Sequence, residues 1–246
     1  MRRVAFAILV LLMTFSTGAA VKVIAIKHVA AAGPGDNLLS ETFNGAGYVD
    51  GDWTEVSGTI DEDSATCGSG VGWNPGTVEC LRITGGTFDD PRVTNVFAAQ
   101  SGDLYLTFSM KLTYTIDDDG ERWGVVALDG AVPETAGPRI SIKRTVGPVY
   151  ELYLYAGNTG LLDSYAFASG SQICLQLMTN AATDDWEWRI GDGTTQNVEG
   201  SGIGTGAFTV DPTTLHLGTV TIQGGNSMDL SVDSVKIGNE GWLGCS

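Results

Sequence analysis

Residues 104–112 read LYLTFSMKL, and large apolar side chains occupy every second position of this stretch. Leucine, phenylalanine and methionine alternate there with tyrosine, threonine, serine and lysine. An apolar period of two is typical of a β-strand that buries one face and leaves the other face polar. The stretch therefore predicts a half-buried β-strand.

The same alternation recurs along the rest of the chain, with turn-forming residues between its repeats. It is present in Ile140 and Ile142, in Tyr150, Leu152 and Leu154, in Ile173, Leu175 and Leu177, in Leu215 and Leu217, and in Met228, Leu230 and Val232. Hairpin signals rich in glycine, asparagine and aspartate separate these runs, as at 117–120 and 224–226. No sequence after residue 21 has apolar residues at helical spacing. The chain is thus predicted to be all-β, a sandwich of two antiparallel sheets.

The N-terminal residues 1–20 have the layout of a secretory signal peptide. Two arginines precede an apolar run, and small residues follow at 16–20. Cleavage is expected after Ala19 or Ala20, and the mature protein is then expected to be secreted or held at a cell surface without inserting into a membrane. The alternative is an uncleaved membrane anchor, because the apolar stretch continues as far as Val21.

The remaining chain is expected to contain one domain at 38–246, preceded by a lead at 21–37. Lys22, Lys27 and His28 interrupt the apolar character of the lead, which predicts either an edge strand or a mobile segment. No linker composition and no internal repeat divides the rest, and a β-sandwich of this length commonly folds as one unit.

The chain is strongly acidic, with a formal net charge of −16 at pH 7. Such a charge repels the phosphates of nucleic acids and of anionic membranes, so neither is an expected partner. Cations and neutral glycans remain as partners that the charge allows.

Four cysteines in an exported chain predict disulfides, because thiols oxidise outside the cytoplasm. Cys67 and Cys80 enclose a glycine-rich loop with no apolar periodicity, which a disulfide would order. Cys174 and Cys245 are then left as the second pair. A zinc site is not expected, since no Cys-x-x-Cys sequence is present and the chain contains two histidines.

The two ends of the predicted domain carry a resemblance to a known superfamily. The opening reads LLSETF at 38–43 and continues to Trp53, and the closing reads DLSVDSVKI at 229–237, followed by GWLG at 241–244. These segments resemble the concanavalin A-like lectin/glucanase superfamily, which includes laminin G-like jelly rolls. The resemblance implies a jelly roll whose first and last strands lie together. It implies little about function, because this fold carries lectins, glycosidases, lyases and adhesion modules.

No catalytic residue is assigned. Glycosidases of the superfamily hold paired carboxylates as Glu-x-Asp-x-Glu on one strand, and this chain has no Glu-x-Asp sequence. Asp185 and Glu187 come closest to such a pair, between two tryptophans. The Gln-x-His strand of polysaccharide lyases is also missing, and His216 alternates with leucines without a recognisable partner.

The resemblance implies a structural calcium ion where the first and last strands meet. Glu41 and Asp233 occupy the matching positions, and their apolar neighbours would leave both carboxylates semi-buried. Semi-buried carboxylates require a cation or good hydrogen bonds. Calcium is therefore an expected cofactor, and simple surface exposure of the two acids is the alternative.

A sugar-binding site needs an aromatic ring to stack on the sugar and polar groups for its hydroxyls. Four residues are candidates for such a site: Trp73, Asn74, Trp186 and Tyr153. The first two lie in the glycine-rich loop, where a large ring has little core to join, and the other two lie on predicted strands. Core packing is the alternative for aromatic residues on strands.

These observations favour a secreted, non-catalytic carbohydrate-binding or adhesive module that binds a glycan or cell-surface polysaccharide. Two alternatives stay open at this point. One is a divergent glycoside hydrolase or polysaccharide lyase. The other is a structural subunit of a surface layer, filament or virion surface, which would associate with copies of itself.

Overall fold

Every secondary-structure element of the described residues is a β-strand, because alternating apolar positions leave each segment one face to bury. A computed structural model describes residues 37–41, 43, 53–64, 79–120, 122–129, 137–157, 160–191, 196–203, 211–219, 222 and 225–244. These residues belong to one unit, Ala32–Ser246. The predicted signal peptide at 1–20 and the lead before residue 37 lie outside them. No helix capable of crossing a membrane occurs within these ranges.

Fifteen strands form the two sheets. They are β1 (Asn37–Glu41), β2 (Trp53–Ser57), β3 (Thr59–Ser64), β4 (Cys80–Gly85), β5 (Arg92–Val96), β6 (Asp103–Thr115), β7 (Arg122–Asp129), β8 (Pro138–Arg144), β9 (Tyr150–Ala156), β10 (Gly160–Ala166), β11 (Gln172–Asn180), β12 (Asp185–Gly191), β13 (Gln196–Ile203), β14 (Thr214–Gly218) and β15 (Ser227–Gly238).

All strand pairs are antiparallel, and they form a sandwich of two sheets, as the alternation predicts. Sheet A has the order β13-β12-β11-β6-β15-β4-β3, and β1 also pairs with β15. Sheet B has the order β10-β9-β8-β7-β14-β5-β2. The first described strand therefore lies beside the last, which agrees with the strand arrangement that the resemblance implies.

The core lies between the inner faces of the two sheets. On β6 it takes the predicted apolar face, including Leu106, Phe108 and Met110, all fully buried. Directly opposite Leu106 and Phe108 on β11 are Leu177 and Leu175, which are buried as well. Each such side chain contributes about 1.5–3 kcal/mol when it leaves water, so burial of these side chains determines which face of the strand points into the core.

The edge of sheet A brings two tryptophans of β12 into this core. Trp188 Nε1 donates a hydrogen bond of 2.8 Å to Asp163 Oδ2 on β10, which links the two sheets. Trp186 lies beside it, packed on Gly200 and Gly202 of β13, where an added Cβ would come within 3.2 Å and 3.4 Å of the Trp186 ring. The Trp186 side chain is 7% exposed. The structure thus places this predicted ligand-binding ring in the packed interior.

Part of the outer face of sheet A is covered by the C-terminal segment, residues 239–244. The carbonyl oxygen of Leu243 accepts hydrogen bonds from Thr107 Oγ1 at 3.1 Å and from Gln176 Nε2 at 2.5 Å. Trp242 lies edge-on to Tyr105, with ring centroids 5.2 Å apart, and the guanidinium carbon of Arg189 lies 3.9 Å from the Trp242 centroid. This cover explains why polar, outward-facing residues of β6 and β11 are buried.

Candidate functional site

The outer face of sheet B collects polar, aromatic and cationic side chains from three neighbouring strands. In the ladder between β8 and β9, Arg139 lies opposite Tyr155, Ser141 opposite Tyr153, and Lys143 opposite Glu151. Residues directly opposite one another in a ladder project from the same face of the sheet. The alternate positions of both strands are isoleucine and leucine and lie in the core. The six polar residues therefore share the face that points away from the core.

Two tyrosine rings form the centre of this face. Tyr153 and Tyr155 are two residues apart on β9, and their rings stack with centroids 5.9 Å apart at an interplanar angle of 22°. The Tyr153 hydroxyl donates a hydrogen bond of 2.5 Å to Glu151 Oε2. Burial and the neighbouring Glu151 carboxylate raise the pKa of Tyr153 to about 12. The phenol is therefore neutral and held in place throughout the physiological pH range.

Three cations surround the tyrosine pair. The guanidinium carbons of Arg122 and Arg139 lie 4.5 Å and 5.1 Å from the Tyr155 ring centroid. The Lys143 ammonium nitrogen lies 5.3 Å from the Tyr153 centroid. Contacts of this kind contribute about 0.5–1 kcal/mol at exposed sites and about 2 kcal/mol where water is excluded. The cations are thus held in defined positions before any ligand arrives.

Small residues separate the cations along the strands. Gly124 of β7 lies opposite Ser141 of β8, between the level of Arg139 and the level of Lys143. Ser141 is fully buried, and its hydroxyl has no hydrogen-bond partner in the described part of the chain.

The face changes from buried to exposed along its strands. Arg139, Tyr155 and Tyr153 are 3%, 5% and 8% exposed and are therefore buried, whereas Arg122, Lys143 and Glu151 are half-buried. On the neighbouring edge strand β10, Ser164 and Ala166 are exposed and oppose Tyr153 and Glu151. The cluster therefore has one end inside the protein and one end that solvent reaches.

His216 of β14 lies at the buried end of the same face. It is opposite Ala127 of β7, which is in turn opposite Arg139. As predicted, it faces away from Leu215 and Leu217, which lie in the core, although it is itself buried. Asp129 and Thr214, which oppose each other two ladder positions further along, are also buried.

Tyr153, one of the predicted ligand-binding residues, lies in this cluster, and the cations around it were not predicted from the sequence. A signal was present, since Arg139, Ser141 and Lys143 alternate with isoleucines in the same way that Glu151, Tyr153 and Tyr155 alternate with leucines. Polar residues at alternate positions of an apolar strand must share one face. The sequence pattern does not show that β8 pairs with β7 and β9, and that pairing brings the two sets of side chains together.

The acid pair that most resembled a catalytic motif lies elsewhere. Asp185 and Glu187 are on the outer face of sheet A. Asp185 Oδ2 accepts a hydrogen bond of 2.7 Å from Thr183, and Glu187 Oε1 pairs with Arg189 at 2.7 Å. Both carboxylates therefore have local structural partners. They lie on the outer face of sheet A, whereas the tyrosine cluster lies on the outer face of sheet B.

The two predicted calcium ligands are both buried, but the ladder does not bring them together. Glu41 is opposite Val235 and lies on the core face of sheet A, where its Oε1 accepts a hydrogen bond of 3.0 Å from the Phe43 amide. Asp233 is opposite Ser109 on the outer face, and its Oδ1 accepts one of 2.6 Å from the Ser234 amide. No group of three or more potential metal ligands occurs in the described ranges. Calcium binding stays a prediction.

The remaining predicted site residues fall partly outside the described chain. Trp73 and Asn74 are outside it, as are Cys67 and Cys245. Cys80 and Cys174 are buried on β4 and β11, and neither is a free thiol. The predicted pairing of Cys67 with Cys80, and of Cys174 with Cys245, stays a prediction because each pair includes a residue that is not described.

Comparison with known proteins supports the fold alone. No protein-family profile matches the chain, and no curated protein matches it. Solved structures that match include botulinum neurotoxin type C, which depends on two ganglioside molecules to enter cells (11% identity, TM-score 0.56, 82% of this chain and 47% of that one). Another is the binding domain of botulinum neurotoxin DC in complex with rat synaptotagmin II (10% identity, TM-score 0.57, 82% and 48%). This chain spans about half the length of these structures.

Proposed function

We propose that this protein is a secreted, non-catalytic carbohydrate-binding module, and that the outer face of sheet B is its binding surface. The observation that carries the proposal is the group of stacked tyrosines and cations on one sheet face, whose solvent-reached end is formed by the half-buried Arg122, Lys143 and Glu151. Aromatic faces with a few fixed polar groups are the usual composition of sugar-binding sites.

The structural neighbours support this proposal at the level of partner class. They include a toxin whose cell entry depends on gangliosides and a toxin binding domain in complex with rat synaptotagmin II. The proposed secretion, based on residues 1–20, would bring such a module into contact with cell-surface glycans. Glycan or cell-surface binding is therefore the partner class that sequence, fold and site chemistry have in common.

A polysaccharide lyase is the second candidate, because a specific arrangement favours it. His216, Arg139 and Tyr155 lie at one level of the ladder across β14, β7, β8 and β9. An imidazole or a phenol can move a proton, and a guanidinium can hold a uronate carboxylate. His216 and Tyr155 are three strands apart, about 14 Å, and both are buried, so one of them and not both would act on a given substrate proton. Release of unsaturated uronate ends from a polysaccharide distinguishes this activity from binding alone.

Glycan-array binding of the mature protein and two tyrosine variants tests the proposal. Tyr153→Ala removes a ring from the proposed surface. Tyr105→Ala is the matched control, since Tyr105 also bonds a carboxylate two residues earlier but lies on sheet A. We expect Tyr153→Ala to weaken binding about fivefold to tenfold, because an aromatic contact contributes about 1 kcal/mol, and Tyr105→Ala to leave it unchanged.

Three results would contradict the proposal. Absence of binding to every glycan would remove the function. Equal losses in Tyr153→Ala and Tyr105→Ala, with both variants folded, would remove the site. Bond cleavage by the unmodified protein, with His216→Ala abolishing it, would replace the binding module with the lyase.

A further inference from the structure

Phe88 is a large aromatic residue that the fold leaves in solvent. It is 78% exposed. The other phenylalanines of the described ranges are all buried: Phe43, Phe97, Phe108 and Phe167. One exposed apolar side chain is common in proteins and alone assigns no role. At Phe88, however, the backbone is unusual as well.

The backbone at Phe88 adopts a conformation that favours glycine. The Asp89 amide donates a hydrogen bond of 3.1 Å to the Gly86 carbonyl oxygen, which closes a β-turn. Phe88 is the third residue of that turn and has a φ of 66°. A positive φ crowds the Cβ of any other residue against the backbone, so glycine is preferred at this turn position. Neither the turn nor the core accounts for a phenylalanine here, and backbone strain of this kind concentrates at functional sites.

The turn that carries Phe88 is held in place by the connection between β14 and β15. The Phe88 amide donates a hydrogen bond of 2.6 Å to the Ile222 carbonyl oxygen, and the Ile222 amide donates one of 2.9 Å to the Asp89 carbonyl oxygen. The Gly225 amide donates a third, of 3.1 Å, to Thr87 Oγ1. The backbone beneath the ring is thus fixed, and a partner that binds the ring loses little entropy by ordering it.

Three loops lie at the same end of the sandwich: residues 86–91, 116–120 and 145–149, together named the loop end. They precede β5, β7 and β9, respectively. These three strands run in one direction, because each is antiparallel to the strand that separates it from the next, β14 or β8. Strands of one sheet are about 4.8 Å apart, so the loop end extends about 19 Å from the first loop to the third.

The third loop carries further exposed apolar side chains. Val146 and Val149 are 78% and 50% exposed. Val149 also lines a shallow, mainly apolar groove of about 500 Å³, together with Tyr150 and Phe167. The loop end therefore has two apolar contact points, the Phe88 ring at one side and this groove at the other.

Acidic side chains surround these two contact points. The loop end contains five aspartates, at positions 89, 90 and 117–119, and neither lysine nor arginine. Those at 89 and 117–119 are exposed. Arg92 and Arg144 of the adjoining strands pair with Asp90 at 3.6 Å and with Asp119 at 2.9 Å, which offsets two of the five charges. The surface therefore repels anions and a second copy of itself, and it attracts cationic partners.

We propose that the loop end binds a protein partner through a segment that combines lysine or arginine with large apolar side chains. The apolar side chains of the segment contact the Phe88 ring and enter the groove beside Val149, and its cations face the aspartates at 117–119. An extended chain advances about 3.3 Å per residue, so a segment of about six residues spans the distance between the two contact points. This surface consists of other residues than the proposed glycan-binding face and does not depend on it.

Selection from a phage-displayed library of random peptides about 12 residues long, on the immobilised mature protein, tests this proposal. We expect the selected peptides to contain lysine or arginine beside large apolar residues. The affinity of a selected synthetic peptide, measured by fluorescence anisotropy, should fall as salt is added, because salt screens exposed charges. Asp118→Asn should weaken binding of the same peptide about twofold to fivefold.

Replacement of Phe88 separates a binding role from a structural one. Phe88→Gly removes the ring and places glycine at a φ that suits it, so the melting temperature should fall by no more than about 2 °C. The same variant should weaken peptide binding about tenfold or more, because burial of a phenylalanine ring is worth at least that factor. Glycan-array binding should not change.

Leu161→Ser is the matched control. Leu161 is 52% exposed at the start of β10, at the end of the sandwich opposite to the loop end. Its replacement also removes an exposed apolar side chain and should leave the peptide affinity unchanged.

Four results would overturn the proposal. The first is a selection that enriches no peptide. The second is an enriched peptide that Phe88→Gly binds as tightly as the unmodified protein does, or that Leu161→Ser weakens equally. The third is a loss of glycan affinity in Phe88→Gly, which would assign the loop end to the glycan. The fourth is a smaller mass of Phe88→Gly in size-exclusion chromatography, which would assign it to a second copy of the chain.

Discussion

Tyr105 and Tyr153 form the same local arrangement on the outer faces of the two sheets. Each is two residues after a carboxylate and donates its hydroxyl to it, Tyr105 to Asp103 at 3.2 Å and Tyr153 to Glu151 at 2.5 Å. Burial is the largest cause in both cases of a pKa raised to about 12. An aromatic ring and a cation lie nearby on each face.

The two faces differ in which part of the chain supplies the aromatic and cationic partners of the tyrosine. On sheet A, Trp242 of the C-terminal segment contacts Tyr105, and Arg189 stacks on Trp242. On sheet B, Tyr153 contacts Tyr155 and Lys143, which belong to neighbouring positions of its own sheet. On sheet A this chemistry binds a segment of the chain itself. On sheet B, where Tyr153 is buried while Lys143 and Glu151 are half-buried, we propose that the half-buried end of the cluster binds an external glycan.

The largest expected effect is a loss of stability in a core variant, which tests whether the glycan-binding site lies on an outer face of the sandwich. Trp186→Ala removes a buried ring from the core and should lower the free energy of unfolding by about 3–5 kcal/mol. Glycan affinity at a temperature where the variant is folded should not change, because the ring does not reach either outer face. Denaturant unfolding and glycan titration measure the two quantities. Loss of binding without loss of stability would restore Trp186 as a ligand-binding residue.

A smaller effect is expected for the face that binds its own segment. Trp242→Ala removes a half-buried ring between Tyr105 and Arg189 and should cost about 2 kcal/mol of stability. For a domain of this size that corresponds to a fall of about 4–8 °C in melting temperature. Glycan binding should stay intact. If Trp242→Ala instead lowers glycan affinity, the outer face of sheet A also contributes to binding.

Alkaline pH should weaken both faces in the same way, which tests the similarity of the two tyrosines. Because the folded pKa of each is about 12 and the ordinary value is 10.0, the stability they contribute is complete below pH 10 and is lost between pH 10 and 12. Tyr105→Phe and Tyr153→Phe should each reduce that loss. Tyrosinate absorbance followed together with circular dichroism measures it.

Lys236 works against this alkaline loss. Burial lowers its pKa below the ordinary 10.5, so its contribution to stability increases as the pH rises toward 10.5. Lys236 therefore offsets the tyrosine loss only at the start of the window between pH 10 and 12, and the net loss continues up to about pH 12. If either Tyr105 or Tyr153 titrates near pH 10 in the folded protein, the two tyrosines do not lie in similar environments.

The smallest effect concerns calcium at sheet A. An ion held jointly by Glu41 and Asp233 predicts that chelation lowers the melting temperature and that Asp233→Asn abolishes the response. The ladder places the two carboxylates on opposite faces of the sheet, so we expect a shift under chelation of less than about 2 °C, below 1 kcal/mol. Melting curves with and without chelator decide between these outcomes, with Glu41→Gln as the second variant.

Much of the fold was predictable because its cause is local. The alternation at 104–112 predicted strand β6 and its buried face, and the same rule applied to β8, β9, β11, β14 and β15. Of the two predicted ligand-binding rings on strands, Trp186 packs in the core and Tyr153 is buried on the outer face of sheet B, and ligand binding by either stays a prediction. Both residues alternate with other residues along a strand, and alternation does not tell which face becomes the inside when both faces carry large rings.

The sequence by itself determined that Arg139, Ser141 and Lys143 share one face of a strand, and that Glu151, Tyr153 and Tyr155 share one face of another, since side chains alternate with a period of two. Only the tertiary structure decided that these two faces are adjacent, that Arg122 joins them, and that Asp233 and Glu41 are separated. Strand order and register depend on pairing between distant segments and on the burial of each sheet against the other. No local pattern contains those contacts, so the site became visible only in the folded chain.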